Sequence, residues 1–416
     1  MRADGTRRLH RQGTVRLFAP TMHALRPLNI LLVPGFFGFG RLGEIDYFAG
    51  VAPLLEAALL RRGFQAHVTQ VVTPPTASIR RRAAHVLDAL VEVAEKPGDI
   101  HVVGHSTGGL DARLAIAQTA ALPTLAKLGD YRRLRSAVSI SCPHYGTNVS
   151  TYFTRPLGRA LFRIVARYLA FVLERGRLPL KVALRFGYFM LRLSDPRRKR
   201  RGTFDQLYER LLNNLTDQRR LEIVQFLRQI ADEQALLFQL TPAGCDLLNA
   251  CTLDPPLAYG SVITCAAPPR FRVLLRFVVN LYAQLVYPMY WILHRLSRER
   301  DDSLRGQLSA PQLEALDLAL GRRASKLDSD GVVPVLSQVW GSVLHVARAD
   351  HLDVVGQYGA LGNDSDDASK NTAWGGDWIP SGSGFNAAQF EALWSDVAEF
   401  IANASTGAVQ SDKAHS

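Results

Sequence analysis

The stretch Gly104-His105-Ser106-Thr107-Gly108 constrains this chain more than any other. The short apolar run Ile100-His101-Val102-Val103 precedes it, and a helix-forming run starting at Leu110 follows. A serine flanked by glycines at a strand-to-helix turn holds its hydroxyl clear of the backbone. The missing Cβ atoms let strand and helix approach closely. The helix N-terminus behind that serine favours negative charge on a nearby substrate oxygen. Such a turn requires a buried strand ahead of it and a helix folded back against the sheet.

The neighbouring sequence supplies that context. An apolar strand is expected over residues 28–33, running into the glycine-rich loop Pro34-Gly35-Phe36-Phe37-Gly38-Phe39-Gly40. Helical periodicity covers residues 47–62 and is closed by Gly63; a strand follows over 64–72 and a helix over 78–96. Beyond the serine, apolar strands are expected at 136–141, 257–265 and 342–347, and an amphipathic helix at 387–401. Strands alternating with helices imply βαβ units, hence an α/β fold with a mostly parallel sheet flanked by helices.

Two stretches break the alternation. The expected organisation is a basic arm over 1–26 and a first half of the core over 27–150. A basic helical cap or lid insertion over 151–238 and core sequence over 239–265 come next. A second helical insertion spans 266–326, the rest of the core 327–402, and a disordered tail 403–416. In the cap, Arg155, Arg159, Arg163 and Arg167 recur every four residues among large aliphatic groups, and the basic run extends to Arg201. Such a stripe suits either an anionic membrane surface or the solvated face of a packed helix. The formal charge of +12 likewise points to a polyanionic partner. Nucleic acid is not expected, because no recognition motif accompanies the arginines.

The four cysteines, Cys142, Cys245, Cys251 and Cys265, lack ligand spacing and read as buried apolar thiols. The segment 271–293 is apolar but carries Arg272 and Arg276 and is interrupted by Pro288, so it reads as a cap or interfacial segment. With no signal-like leader and no clear transmembrane helix, the expected location is cytoplasmic or peripheral on the inner membrane.

A serine hydroxyl is a weak nucleophile until a base takes its proton, and that base needs an acid to fix its tautomer. After Ser106, an acid ending a late strand and a histidine on the next loop would complete the set. Ser329-Asp330-Gly331-Val332-Val333 and Ala349-Asp350-His351-Leu352-Asp353 fit. Asp328 lies close enough to substitute for Asp330, but the Asp-Gly-Val-Val grouping favours Asp330. His345 falls inside a strand. His105 and His144, with Phe37, are candidates to line the site. The oxyanion hole should use the backbone N–H groups of Thr107 and Phe36.

Together these pieces resemble the bacterial true lipases of the α/β-hydrolase superfamily. The resemblance rests on Val33-Pro34-Gly35-Phe36-Phe37-Gly38-Phe39, Gly104-His105-Ser106-Thr107-Gly108-Gly109 and Cys142-Pro143-His144-Tyr145-Gly146-Thr147. Leu240-Thr241-Pro242-Ala243-Gly244, Asp330-Gly331-Val332-Val333 and His351-Leu352-Asp353 complete it. It implies an α/β-hydrolase fold with a lid and a serine ester hydrolase acting on lipid-like acyl esters. Ser106, Asp330 and His351 would be the triad, and no cofactor would be needed for the chemistry. It also implies a structural calcium ion on Asp353 and Gln357. Pro34-Gly35 stands where the family usually has His-Gly, and the insertions are longer and more basic than its lid. An acyltransferase or thioesterase on the same scaffold, or a membrane-docking protein, would share these features.

Overall fold

The computed structural model describes residues 25–36, 38, 41–42, 45–129, 131–155, 235–270, 281–299, 303–358, 379 and 381–407. Phe37, the basic block beyond Arg155 and most of the cap expected over 151–238 lie outside them.

Six strands form one parallel sheet: β1 (Arg26–Val33), β2 (Phe64–Gln70), β3 (Asp99–His105), β4 (Leu134–Ile140), β5 (Ala258–Thr264) and β6 (Ser342–Ala347). Their spatial order is β2-β1-β3-β4-β5-β6. The inner strands β1, β3, β4 and β5 are buried over most of their length because both sheet faces are covered there, and alternate side chains serve different cores. In β1, Leu28, Ile30 and Leu32 face one layer with helices α1 (Val51–Leu60) and, at the far end of the chain, Ala387–Thr406. Leu31 and Val33 face the other layer, packed with α2 (Ile79–Ala94) and α3 (Thr107–Ile116). The first layer centres on Leu55, Leu393, Trp394 and Val397, all fully buried. Each large apolar side chain so buried contributes about 1.5–3 kcal/mol relative to exposure. This two-layered parallel sheet, with the serine turn after β3 and the acid and histidine loops flanking β6, is the α/β-hydrolase fold.

Strand order places the chemistry. β1 pairs with β2 on one side and β3 on the other, so the chain's direction of travel across the sheet reverses there. In open parallel sheets ligands bind beyond the carboxyl ends of strands at such a switch point. The loop after β1 and the serine turn after β3 both emerge at that point.

The other described helices are α4 (Asn148–Phe153), α5 (Ala235–Gln239), α6 (Pro242–Cys251), α7 (Leu281–Leu296), α8 (Ala310–Leu320) and α9 (Ala387–Thr406). Local signals start several of them. Ser309 and Asn386 form capping boxes with Gln312 and Gln389. Thr241 caps α6 and is followed by Pro242.

Four expectations need correction. The helix expected from Tyr47 begins at Val51, because Gly50 has φ 73° and ends the preceding turn. Pro288 does not interrupt α7, which continues from Leu281 to Leu296. The flanking tyrosines hold that helix: Tyr287 Oη bonds both N and O of Arg270, and Tyr290 Oη donates to Ala267 O. The last helix runs past Asn403 to Thr406, because Ala402 and Ala404 are buried and Ser405 bonds His101 and Arg26. Cys251 is exposed, unlike the other three cysteines. Among the described residues, no helix is long and apolar enough to cross a membrane.

Candidate active site

Ser106 sits at the apex of the turn between β3 and α3 with φ 54° and ψ −129°, a backbone conformation that L side chains rarely adopt. Its neighbours are fitted to that bend. A Cβ on Gly104 would lie 2.4 Å from Gly108 O, and one on Gly108 would lie 2.3 Å from Val33 O. The N–H of Ser106 donates to Ile140 O at 2.8 Å, fixing the turn to β4.

Ser106 Oγ lies 2.9 Å from His351 Nε2, and His351 Nδ1 lies 2.8 Å from Asp330 Oδ2. A carboxylate can only accept, so Nδ1 carries the proton and Nε2 presents its lone pair to the serine hydroxyl. The Asp330 carboxylate is fully buried, and donors surround it. Val332 and Val333 N–H groups donate to Oδ1, each at 2.8 Å. Thr264 Oγ1 donates to Oδ2 at 2.8 Å, beside a longer contact from Gln338 Nε2. These donors replace the hydrogen bonds to water that burial takes from the carboxylate. The main chain adds a direct tie, because His351 N–H donates to Asp330 O.

The two residues weighed against these sit elsewhere. Asp328 is paired with Arg322 at 2.6 Å, and His345 with Asp396 at 2.7 Å on the outer side of β6.

The expected oxyanion donors flank the serine. Thr107 is the first residue of α3, so its N–H has no partner within the helix. Phe36 follows Gly35, and Gly35 packs so closely that an added Cβ would lie 2.8 Å from Ser106 Cβ. Arg82, fully buried on α2, holds this loop from beneath. Its guanidinium donates to Pro34 O at 3.0 Å, Gly35 O at 2.8 Å and Pro74 O at 2.8 Å, and pairs with Asp111 of α3 at 2.8 Å. One planar cation thereby joins the loop after β1 to the helix behind the serine.

His144 is fully buried. Its ring bonds Ser139 at 2.9 Å and Arg113 at 3.3 Å and stacks on Trp340, while Arg113 also pairs with Asp254. This cluster joins β4, α3 and α6, so His144 serves the fold there rather than lining the serine site. Burial, with Arg113 adding to it, holds the His144 ring well below the usual histidine range. His105 is also buried and neutral, and its contacts lead back to the serine.

Asp353 and Gln357, the residues expected to hold calcium, are both buried. Asp353 Oδ2 accepts from Asp350 N–H and the Ser383 hydroxyl, whereas the Gln357 amide reaches Asp46 O. The Gln357 Oε1 atom is buried and has no hydrogen-bond partner among the described residues. Among the described residues no cluster of three or more His, Cys, Asp or Glu could hold a metal ion.

Several residues at the site carried no readable signal. Arg82 follows Arg80 and Arg81, and only tertiary packing separates it from its exposed neighbours. Thr264 and Gln338 lie at a strand end and in a short turn, positions where any polar residue fits.

No protein-family model matches the chain. Among solved structures it is similar to EstA from Clostridium botulinum, at 17% identity over 92% of this chain and 89% of that one, with a TM-score of 0.46. It is also similar to Staphylococcus hyicus lipase, at 15% identity over 92% and 96%, with a TM-score of 0.48. Lipase 1 from Pelosinus fermentans matches at 17% identity over 91% and 98%, with a TM-score of 0.46.

Proposed function

We propose that this chain is a serine carboxylic-ester hydrolase acting on lipid-like acyl esters. The observation that carries the reading is the continuous relay from Ser106 Oγ through the His351 ring to a buried, fully hydrogen-bonded Asp330.

In this reading Ser106 Oγ attacks the acyl carbonyl as His351 Nε2 takes its proton. Negative charge gathers on the former carbonyl oxygen, beside the N–H groups of Phe36 and Thr107 and the N-terminus of α3. Collapse breaks the ester C–O bond, and His351 returns the proton to the departing alcohol. Water then adds to the acyl-serine, losing its proton to His351. The C–Oγ bond then breaks as His351 returns that proton to Ser106 Oγ, which releases the carboxylic acid and restores the serine. No metal or organic cofactor enters these steps.

An apolar acyl group is supported by Phe36, which packs against the apolar clusters on either side of the loop. Phe238 in the first insertion and Trp291 and Ile292 in the second also keep large apolar surface exposed. The basic block from Arg155 onward is proposed to attract an anionic membrane surface carrying such substrates.

Turnover of p-nitrophenyl esters of increasing chain length, with and without a lipid interface, tests the reading. Hydrolysis lost in Ser106→Ala and rising with acyl length supports it. Hydrolysis retained in that variant, or acyl transfer to added alcohols or thiols in place of water, overturns it.

A further inference from the structure

We propose that Tyr47 and His105 are positioning residues that lock the oxyanion loop and the base-bearing loop into one unit around Ser106. The inference rests on the hydrolase reading above and assigns these residues a role in its rate.

Three hydrogen bonds form a single line through the interior. Gly35 N–H meets Tyr47 Oη at 2.9 Å, Tyr47 Oη meets His105 Nδ1 at 2.7 Å, and His105 Nε2 meets His351 O at 2.8 Å. The proton positions follow from chemistry alone. The His351 carbonyl can only accept, so His105 Nε2 carries a hydrogen and donates it. A neutral ring then has a lone pair at Nδ1, which accepts the Tyr47 hydroxyl hydrogen. The phenolic oxygen in turn accepts from Gly35 N–H. Each member has one role, and no rotation or flip of one preserves the others.

Both side chains are buried, so a broken link would not be replaced by bulk water. Burial, reinforced by the neighbouring His351 ring, keeps the His105 ring neutral. It also keeps the Tyr47 phenol protonated, by pushing its titration far above the usual tyrosine range. The line therefore keeps its sense throughout the working pH range.

The ends of the line explain its purpose. Gly35 immediately precedes Phe36, one of the two proposed oxyanion donors. His351 is the proposed base, held here by its main chain as well as by Asp330. His105 directly precedes Ser106, and its ring lies 4.9 Å from the His351 ring. Tyr47 is spaced closely enough to the loop that a Cβ on Gly35 would lie 2.6 Å from its hydroxyl. Donor, nucleophile and base thus share one internal scaffold. A change in any link moves the loop bearing Phe36 relative to the base.

Tyr47→Phe, His105→Gln and their combination test this, with kcat expressed per active site titrated by a fluorophosphonate. Each single variant is expected to lower kcat by about 10–100-fold, the cost of small misplacements of reacting groups, with KM within about twofold. Because the line acts as a unit, the double variant should lose little beyond the worse single one. A purely structural role would lower the titratable fraction and the melting temperature, leaving kcat per site within about twofold of wild type. That result, or multiplicative losses in the double variant, overturns the inference. If Tyr47→Phe does not fold, His105→Gln alone carries the kcat test, since its amide retains a donor and an acceptor. Hydrolysis persisting in Ser106→Ala would instead remove the hydrolase reading on which the proposal stands.

Discussion

Replacing Arg82 by Met should separate what the buried guanidinium does for stability from what it does for the site. Arg82 and Asp111 are both fully inaccessible, and Arg82 also donates to the carbonyls of Pro34, Gly35 and Pro74. Methionine removes every donor and strands the Asp111 carboxylate. Breaking one partner of a buried pair costs about 3–5 kcal/mol. The upper end is limited by protonation, since neutralising an ordinary aspartate at pH 7 costs about 4 kcal/mol. Burial already pushes the Asp111 carboxyl up while Arg82 pulls it down, so losing Arg82 drives it to the neutral form. The folded variant would then hold a proton that the unfolded chain releases. Its stability should fall as pH rises, by about 1.4 kcal/mol per unit above the unfolded carboxylate range. Adding Asp111→Leu removes the stranded acid, and should recover about 3 kcal/mol and abolish that pH dependence. Turnover should not recover, because the carbonyls of Pro34, Gly35 and Pro74 lack the Arg82 donor in both variants. Urea unfolding from pH 5 to 8, with kcat measured on the same samples, decides it. A double variant as active as wild type, or a single variant with no pH-dependent loss, would refute the reasoning.

Two further outcomes follow from buried groups. His101, His105 and His144 are neutral in the fold, and His101 is held down at about 3 by desolvation, bonded to Ser136 and Ser405. Their folded titration lies below the unfolded value near 6.5, so their contribution is complete above that pH and is lost as pH falls. Each adds a slope of about 1.4 kcal/mol per unit. Unfolding free energy measured between pH 7 and 5 should fall accordingly, and His101→Gln should remove about a third of the histidine part of that slope. Thr264→Val removes one donor from Asp330 at nearly constant volume. It should lower kcat about tenfold or more, in line with the roughly 1.5–3 kcal/mol of a hydrogen bond to a charged group, with stopped-flow release of p-nitrophenol as the assay.

The parallel sheet is legible because strands buried on both faces are rich in consecutive apolar residues, as in Ile30-Leu31-Leu32-Val33 of β1 and Val102-Val103 of β3. The serine turn was legible for a similarly local reason. Its two glycines meet backbone atoms at 2.3–2.4 Å from an imagined Cβ, so composition is forced there. The supporting residues were not legible, because their roles arise from distant contacts. Tyr47 looks like the first residue of a helix until Gly50 breaks the turn, and its hydroxyl then reaches a strand far along the chain. Arg82 belongs to a basic run whose other members face outward. His144 sits in a motif suggestive of a site lining, yet Arg113 and Trp340 draw it into a buried cluster. Pro288 suggests a break, whereas two anchored tyrosines beside it hold the helix together.

The central claim is that Ser106 forms an acyl-enzyme under the control of His351. Intact-mass and peptide mass spectrometry of protein quenched in acid during turnover of a p-nitrophenyl ester tests it most directly. One acyl group on the peptide bearing Ser106, accumulating in wild type and absent from Ser106→Ala and His351→Ala, is the predicted result. Ester hydrolysis with no covalent intermediate, or acylation of a different residue, would contradict it.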